Sequence, residues 1–114
     1  MIAVIFEVKP HSDKKDAYLE VAAQMKAEVQ GIDGFISVER FQSLMDPDKL
    51  LSLSYWRDEA ALDEWRALQA HRKAQTIGRE VMFADYRLRV VSVMRDYGMT
   101  DRDEAPEDSK ALHG

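Results

Sequence analysis

The first strand of this chain is apolar on both of its faces, and this feature limits its possible folds more than any other. A strand with one face in water alternates apolar and polar side chains, and residues 1–8 do not. The apolar side chains fall four on one side and two on the other: Ile2, Val4, Phe6 and Val8, then Ala3 and Ile5. Because 114 residues are too few to cover both faces of a sheet, we expect a second subunit on one of them.

The composition excludes several classes of function. The chain has 16 basic and 21 acidic residues, which argues against a nucleic-acid partner, since such proteins carry a basic excess. It has no cysteine, which excludes disulfides, thiolate metal sites and a cysteine nucleophile. No apolar run reaches membrane-spanning length, and the N-terminus lacks the pattern of a signal peptide. We therefore expect a cytoplasmic protein of one domain with no membrane partner.

A helix is predicted after the first strand. Proline, serine and aspartate in residues 9–13 favour a break followed by a helix start. Glycines at positions 31 and 34 favour its end. Between these points, apolar side chains recur at the spacing of one helical face: Tyr18, Val21, Ala22, Met25, Val29 and Ile32.

The next two strands form a predicted hairpin. Residues 35–43 and 50–56 have strand patterns, and proline and aspartate at positions 47 and 48 favour the turn between them. Strict alternation places Phe35 on the same face as Ser37, and Val38 on the other face with Arg40.

The C-terminal half continues with a helix and a strand. Asp58 is a good N-cap for a helix over residues 59–68, with Leu62, Trp65 and Leu68 as its buried stripe. A loop or short helix is expected from position 71 to 78, and a long final strand over residues 85–97. Residues 98–114 are polar and charged, so we treat them as a C-terminal tail outside a domain of residues 1–97.

The resulting order is β-α-β-β-α-β, the ferredoxin-like α+β arrangement. It gives a four-stranded antiparallel sheet with both helices on one face. The other face stays bare unless a second copy covers it. We therefore predict a homodimer, in which the doubly apolar strand is buried between the two sheets.

Two further segments carry a resemblance to a known family. Residues 53–66 read LSYWRDEAALDEWR, and residues 68–75 read LQAHRKAQ. A strand that ends in tryptophan, an acidic residue that opens a helix, a second tryptophan on that helix and a following histidine resemble the antibiotic biosynthesis monooxygenase (ABM) family. Gly34 followed by Phe35 fits as well, and the resemblance covers residues 1–97.

The resemblance implies a dimeric α+β barrel with a pocket between the helices and the sheet. Family members include cofactor-independent monooxygenases of polycyclic phenols and haem-degrading monooxygenases. Active sites in both branches typically contain an asparagine beside tryptophan. This sequence has no asparagine.

By the same resemblance, Trp65 and His71 are the candidate catalytic residues. Trp65 fits a core position equally well, but as a pocket wall its indole N–H could orient a substrate. His71 could take a proton from a phenol near neutral pH, or ligate haem iron in the alternative reaction. No histidine pair has metal-ligand spacing on a helix face, so no other metal site is expected.

Candidate substrate-binding residues surround this pair. Arg72 belongs to a basic cluster that also contains Lys73 and Arg79, and it could pair with a carboxylate at the pocket rim. The predicted aromatic walls of the pocket are Phe6, Tyr55, Phe83 and Tyr86.

Three functions follow from these observations. The first is a monooxygenase that oxidises an aromatic or polycyclic substrate without flavin or metal. The second is haem degradation, with haem as the bound group. The third is a non-catalytic dimer that binds haem or another small molecule, which the missing asparagine favours.

Overall fold

The computed structural model of the chain describes residues 1–73 and 82–114, with residues 70–73 described as backbone only. Four strands and three helices lie in these ranges: β1 (Ile2–Pro10), α1 (Lys15–Val29), β2 (Phe35–Gln42), β3 (Leu50–Trp56), α2 (Glu59–Lys73), β4 (Phe83–Ser92) and α3 (Glu107–His113). The sheet order is β2-β3-β1-β4, and every neighbouring pair is antiparallel. The predicted ferredoxin-like α+β fold is confirmed.

Both α1 and α2 pack on the same face of the sheet. Val4 of β1 and Trp56 of β3 share one buried cluster with residues of both helices and of the turn after α1: Val29, Ile32, Ala61, Leu62 and Trp65. A second, smaller cluster joins Val8 and Leu50 of the sheet to Tyr18 of α1. The apolar stripes predicted for the two helices are therefore the surfaces that they bury.

Gly34 allows the start of β2 to approach the start of α2. Its φ is +94°, a backbone conformation that glycine adopts readily and other residues rarely do. A Cβ at this position would lie 2.8 Å from the Cβ of Ala61, which is too close for any larger residue. The Gly34 carbonyl also accepts a hydrogen bond of 2.7 Å from the backbone N–H of Arg57.

Several element boundaries differ from the sequence prediction, and three of them have a clear physical reason. Helix α2 continues to Lys73, because no glycine or proline interrupts residues 67–70. Strand β1 extends to Pro10, which pairs with Phe83 across an irregularity in register. Strand β4 ends at Ser92 rather than at position 97, because Ser92 pairs with Ile2 and the partner strand begins there.

The C-terminal segment contains the helix α3, although the sequence predicts only a polar tail. Arg102 organises this segment. Its Nε donates to the Gly114 carbonyl at 2.9 Å, and its other nitrogens donate to the Gly98 carbonyl and the Ser109 hydroxyl. The guanidinium also lies 5.3 Å from the centre of the Tyr97 ring. Arg102 therefore links Tyr97, Gly98, Ser109 and Gly114 within this segment.

The sheet face opposite the helices is apolar at its centre, and we call it the open face. Strand register and alternation place seven aliphatic or aromatic side chains on it: Ala3, Ile5, Phe41, Leu51, Leu53, Tyr55 and Val91. At its edge, the Glu7 carboxylate pairs with Lys49 at 3.3 Å and with Arg89 at 3.6 Å. Phe41 remains 42% exposed. Within the described part of the chain, no helix is both long and apolar enough to cross a membrane.

Candidate active site

A cavity of about 820 Å³ lies between the helices and the sheet. Its floor is the helix-facing side of all four strands, and α1 and α2 form its roof. This volume falls within the range of roughly 300–1,000 Å³ typical of small-molecule sites. The wall at β4 borders solvent, since Tyr86 is 60% exposed and Leu88 is 52% exposed.

Strand register arranges the floor in rows that cross the sheet. In one row Val38, Ser54, Val4 and Val90 lie side by side on paired strands, and all four line the cavity. The next row consists of Arg40, Ser52, Phe6 and Leu88. The floor is therefore apolar on β1 and β4, and carries its polar groups on β2 and β3.

One end of the cavity is built from both tryptophans. The rings of Trp56 and Trp65 stack with centroids 6.5 Å apart and planes inclined by 29°. Phe35 meets Trp56 edge to face at 5.3 Å. The Trp56 indole Nε1 donates to the Ser54 hydroxyl at 2.9 Å, so this buried N–H is satisfied. Such contacts hold a broad aromatic wall in one orientation.

The other end is a second aromatic group. Phe83 lies 6.0 Å from Phe6, 5.6 Å from Tyr18 and 6.0 Å from Tyr86, measured between ring centroids. The Phe6 and Tyr86 rings are 5.8 Å apart. Both ends of the cavity thus present aromatic rings, a lining that suits a planar or cyclic apolar molecule.

The structure brings most of the predicted aromatic residues together. Trp65, Phe6, Phe83 and Tyr86 all line this one cavity. Tyr55 does not line it, because it occupies the opposite side of β3 from Ser54 and Trp56 and belongs to the open face.

The remaining predicted residues, His71 and Arg72, have their backbone in α2, but their side chains lie outside the described residues. The same holds for Lys73, and Arg79 falls wholly outside them. Their proposed roles stay predictions.

Sequence alternation misplaces one residue of the cavity wall. The register of β2 against β3 shifts between Phe35 and Ser37. Phe35 therefore shares the cavity side with Val38, and not the open face with Ser37 as the sequence suggests. No local signal in the sequence marks this irregularity.

The charged groups at the cavity are unevenly placed. Among the described residues that line it, Lys26, Arg40 and Arg66 are basic and Asp85 is acidic. Lys26, Arg66 and Asp85 are exposed, whereas Arg40 is half-buried. In the part of the chain that is described, no group of three or more histidine, aspartate or glutamate side chains could hold a metal ion.

The N-terminus of α2, which sets the position of Trp65, is fixed by Asp58. Its Oδ1 accepts a 2.9 Å hydrogen bond from the Ala61 N–H, and its Oδ2 accepts one of 3.1 Å from Arg57 Nε. The Arg57 guanidinium also pairs with Asp33 at 3.3 Å. The Ala61 N–H, and then Arg57, lower the pKa of the Asp58 carboxyl below its usual value. The predicted N-cap is confirmed.

Comparison with known proteins gives a consistent set of similarities. The family model described as antibiotic biosynthesis monooxygenase matches residues 1–77. A protein of Pyricularia oryzae named jasmonate monooxygenase ABM is 46% identical over 82% of this chain, which spans 43% of that protein's length. The Bacillus subtilis protein YqjZ is 35% identical, over 82% of this chain and 79% of its own length.

A solved structure supports the same fold. The protein Rv0793 of Mycobacterium tuberculosis superposes with a TM-score of 0.69 at 22% identity, over 85% of this chain and 98% of that one.

The charge of Asp58 predicts a pH-dependent contribution to stability. Because its folded pKa is lowered, the charge stabilises the fold above the unfolded-state pKa of about 4, and this effect is lost as the pH falls through the folded pKa. Asp58→Asn keeps a capping side chain but removes the charge. Its melting temperature should lie below that of the wild type at pH 7, and the gap should narrow towards pH 3. A gap of equal size at both pH values would contradict this assignment.

Proposed function

Because the chain belongs to the antibiotic biosynthesis monooxygenase family, we propose that it oxidises one small cyclic molecule in the cavity between its helices and its sheet. The observation that carries this proposal is the cavity itself. Its volume of about 820 Å³ and the aromatic groups at both ends suit a ligand with one or several rings. We infer an aromatic or polycyclic substrate class, and the name of the Pyricularia relative adds jasmonate, a small cyclic compound, to the range of candidates.

The proposed reaction uses neither flavin nor metal. A substrate with an acidic CH₂ group next to its ring system loses a proton to form an anion, and this anion supplies the electrons that reduce dioxygen. The CH₂ group becomes C=O, and the second oxygen atom leaves as water with the two hydrogens. The protein contributes orientation and an apolar environment in which charge interactions are strong.

Different side chains of the cavity orient the substrate, surround it with apolar groups and accept its proton. Trp65, stacked on Trp56, holds the rings in one plane, and Val4 and Val90 give them an apolar floor. His71 is the proposed proton acceptor, by its resemblance to the family's histidine. Ser52 and Ser54 offer hydroxyl groups on the floor that can bond a substrate oxygen.

The activity is tested with anthrone, whose central CH₂ group is acidic. With a metal chelator present, the wild-type protein should convert anthrone to anthraquinone and incorporate one atom from ¹⁸O₂. Trp65→Phe keeps an aromatic ring but loses the second ring and the N–H, so we expect the rate to fall by about tenfold, roughly 1.4 kcal/mol of transition-state stabilisation. Oxygen uptake and mass spectrometry of the product measure both effects.

Tyr55→Phe is the matched control, because Tyr55 lies on the open face and its variant should retain the wild-type rate. No uptake above the uncatalysed rate, with either anthrone or an anthrone carboxylic acid, would reject the monooxygenase proposal. Haemin addition with a reductant then separates the remaining functions: loss of the Soret band indicates haem degradation, and a stable complex indicates a binder. Among the described residues, no histidine lines the cavity, so a histidine ligand for haem would have to be His71.

The open face supports a second proposal, that two copies of the chain pack sheet to sheet. Its central side chains Ile5, Leu53 and Tyr55 are only partly buried by the chain itself. An apolar patch of this kind on a soluble domain usually marks an interface. Phe6, in contrast, faces the cavity, so only the other side of β1 is available to a partner.

Ile5→Lys tests the dimer. A single chain can leave the lysine ammonium in water, but a second sheet would bury it unpaired, at a cost of several kcal/mol. We expect a wild-type dimer and an Ile5→Lys monomer by sedimentation velocity, with equal circular dichroism. Leu44→Lys is the control, because Leu44 is fully exposed in a loop, and it should remain dimeric. A folded wild-type monomer at micromolar concentration would contradict the proposal.

A further inference from the structure

One buried polar atom beside the cavity has no partner among the described residues. The Nε of Arg40 is shielded from solvent and forms no hydrogen bond with the described part of the chain. Arg40 lies on β2 and lines the cavity. A buried donor that loses its water without gaining an acceptor destabilises a protein, and a charged one does so more strongly. Because its Nε is closed to solvent, a molecule in the cavity would reach the guanidinium through its other N–H groups, and an anion there would offset part of this cost.

The other arginines with described contacts differ from Arg40 in this respect. Arg57 pairs with Asp33 and Asp58, and Arg89 pairs with Glu7. Arg102 donates to carbonyl and hydroxyl oxygens of the C-terminal segment. These three guanidinium groups thus have protein acceptors, whereas the Nε of Arg40 beside the cavity has none among the described residues.

Two hydroxyl groups lie on the strand beside Arg40. Ser52 pairs directly with Arg40 in the register of β2 and β3, and Ser54 follows one row further along. Both line the cavity. The Ser54 oxygen accepts the Trp56 indole N–H, so its own O–H remains available to donate. One side of the floor therefore concentrates donors, whereas the same rows continue into Phe6 and Leu88 on β1 and β4.

The charged residues around the cavity are mostly basic. Of the described lining residues, three are basic and one, Asp85, is acidic. Two of the basic residues, Lys26 and Arg66, are exposed at the rim, and Arg66 lies 4.0 Å from Asp63. A single anionic group at the Arg40 side would be attracted by this charge and matched by planar guanidinium donors.

We propose that Arg40, with Ser52 and Ser54, binds a carboxylate of the substrate, so that the site selects cyclic compounds bearing one carboxylate. The guanidinium geometry fits the two oxygens of a carboxylate, and the apolar rows beside it take the rings. This inference deepens the proposed function, because it names the chemical class of the molecule that the same cavity oxidises.

A matched acid and ester test the carboxylate site in the full-length protein. Isothermal titration with naphthalene-1-acetate and with its methyl ester compares the same ring with and without the charge. The wild type should bind the acid at least about tenfold more tightly than the ester. Arg40→Met should abolish this preference and leave ester binding unchanged. Arg40→Lys should retain part of it, since lysine keeps the charge but not the planar donors.

Arg95→Met is the control for general electrostatics, because it removes the same charge from an exposed residue that does not line the cavity. It should keep the preference for the acid. Equal affinities of the wild type for acid and ester, or the same loss in Arg95→Met as in Arg40→Met, would overturn the inference. A haemin titration tests whether the carboxylates that Arg40 binds are those of haem. If Arg40→Met weakens haemin binding and the wild type binds naphthalene-1-acetate no better than its ester, the proposed class of small carboxylate substrates is wrong.

Failure of this inference is distinguishable from failure of the proposed function. Oxidation of anthrone with equal binding of acid and ester would reject the carboxylate site alone. A preference for the acid that depends on Arg40, without oxygen uptake from either anthrone or an anthrone carboxylic acid, would reject the monooxygenase proposal and retain the site. Absence of binding by both naphthalene compounds would overturn the carboxylate site.

Discussion

Strand β1 needs cover on both of its faces, and the rest of the molecule is arranged around this requirement. It pairs with β3 on one side and with β4 on the other, so its backbone groups are satisfied within the sheet. Its even-numbered side chains face the two helices, and Val8 is only 1% exposed. Its odd-numbered apolar side chains face away from both helices. Val4 and Val8 of the first set and Ala3 of the second are buried within one chain, whereas Ile5 of the second set is only partly buried.

The cavity exists because the helices cover the sheet incompletely. Trp56 and Trp65 close one end with the core cluster behind them, and Phe83 closes the other end against Tyr18. Between these ends the floor carries small or medium side chains, such as Val4 and Ser54, which leave space above them. Aromatic rings at the ends and small residues in the middle are a simple way to hold open a space within an otherwise packed domain.

Sequence periodicity was sufficient for the architecture, and it grouped most of the aromatic wall. Of the predicted aromatic walls, Phe6, Phe83 and Tyr86 line the cavity and Tyr55 does not, and the helical stripe included Trp65. It failed where the chain departs from regular geometry, as at the irregularity that moves Phe35 to the cavity side. Arg40 was also missed as a site residue. An arginine in an alternating strand resembles an ordinary surface residue, and only tertiary structure reveals its buried Nε. The roles proposed for His71 and Arg72 rest on the family resemblance.

The central claim, that the space between helices and sheet is the ligand site, is tested most directly by methyl and indole NMR during titration with naphthalene-1-acetate. The chain has two tryptophans, and both line the cavity. The account predicts that both indole N–H signals shift together with the methyl signals of Val4 and Leu62, while the open-face methyl signals of Ile5 and Leu53 stay in place. Shifts confined to Ile5 and Leu53, with both indole signals unmoved, would contradict it.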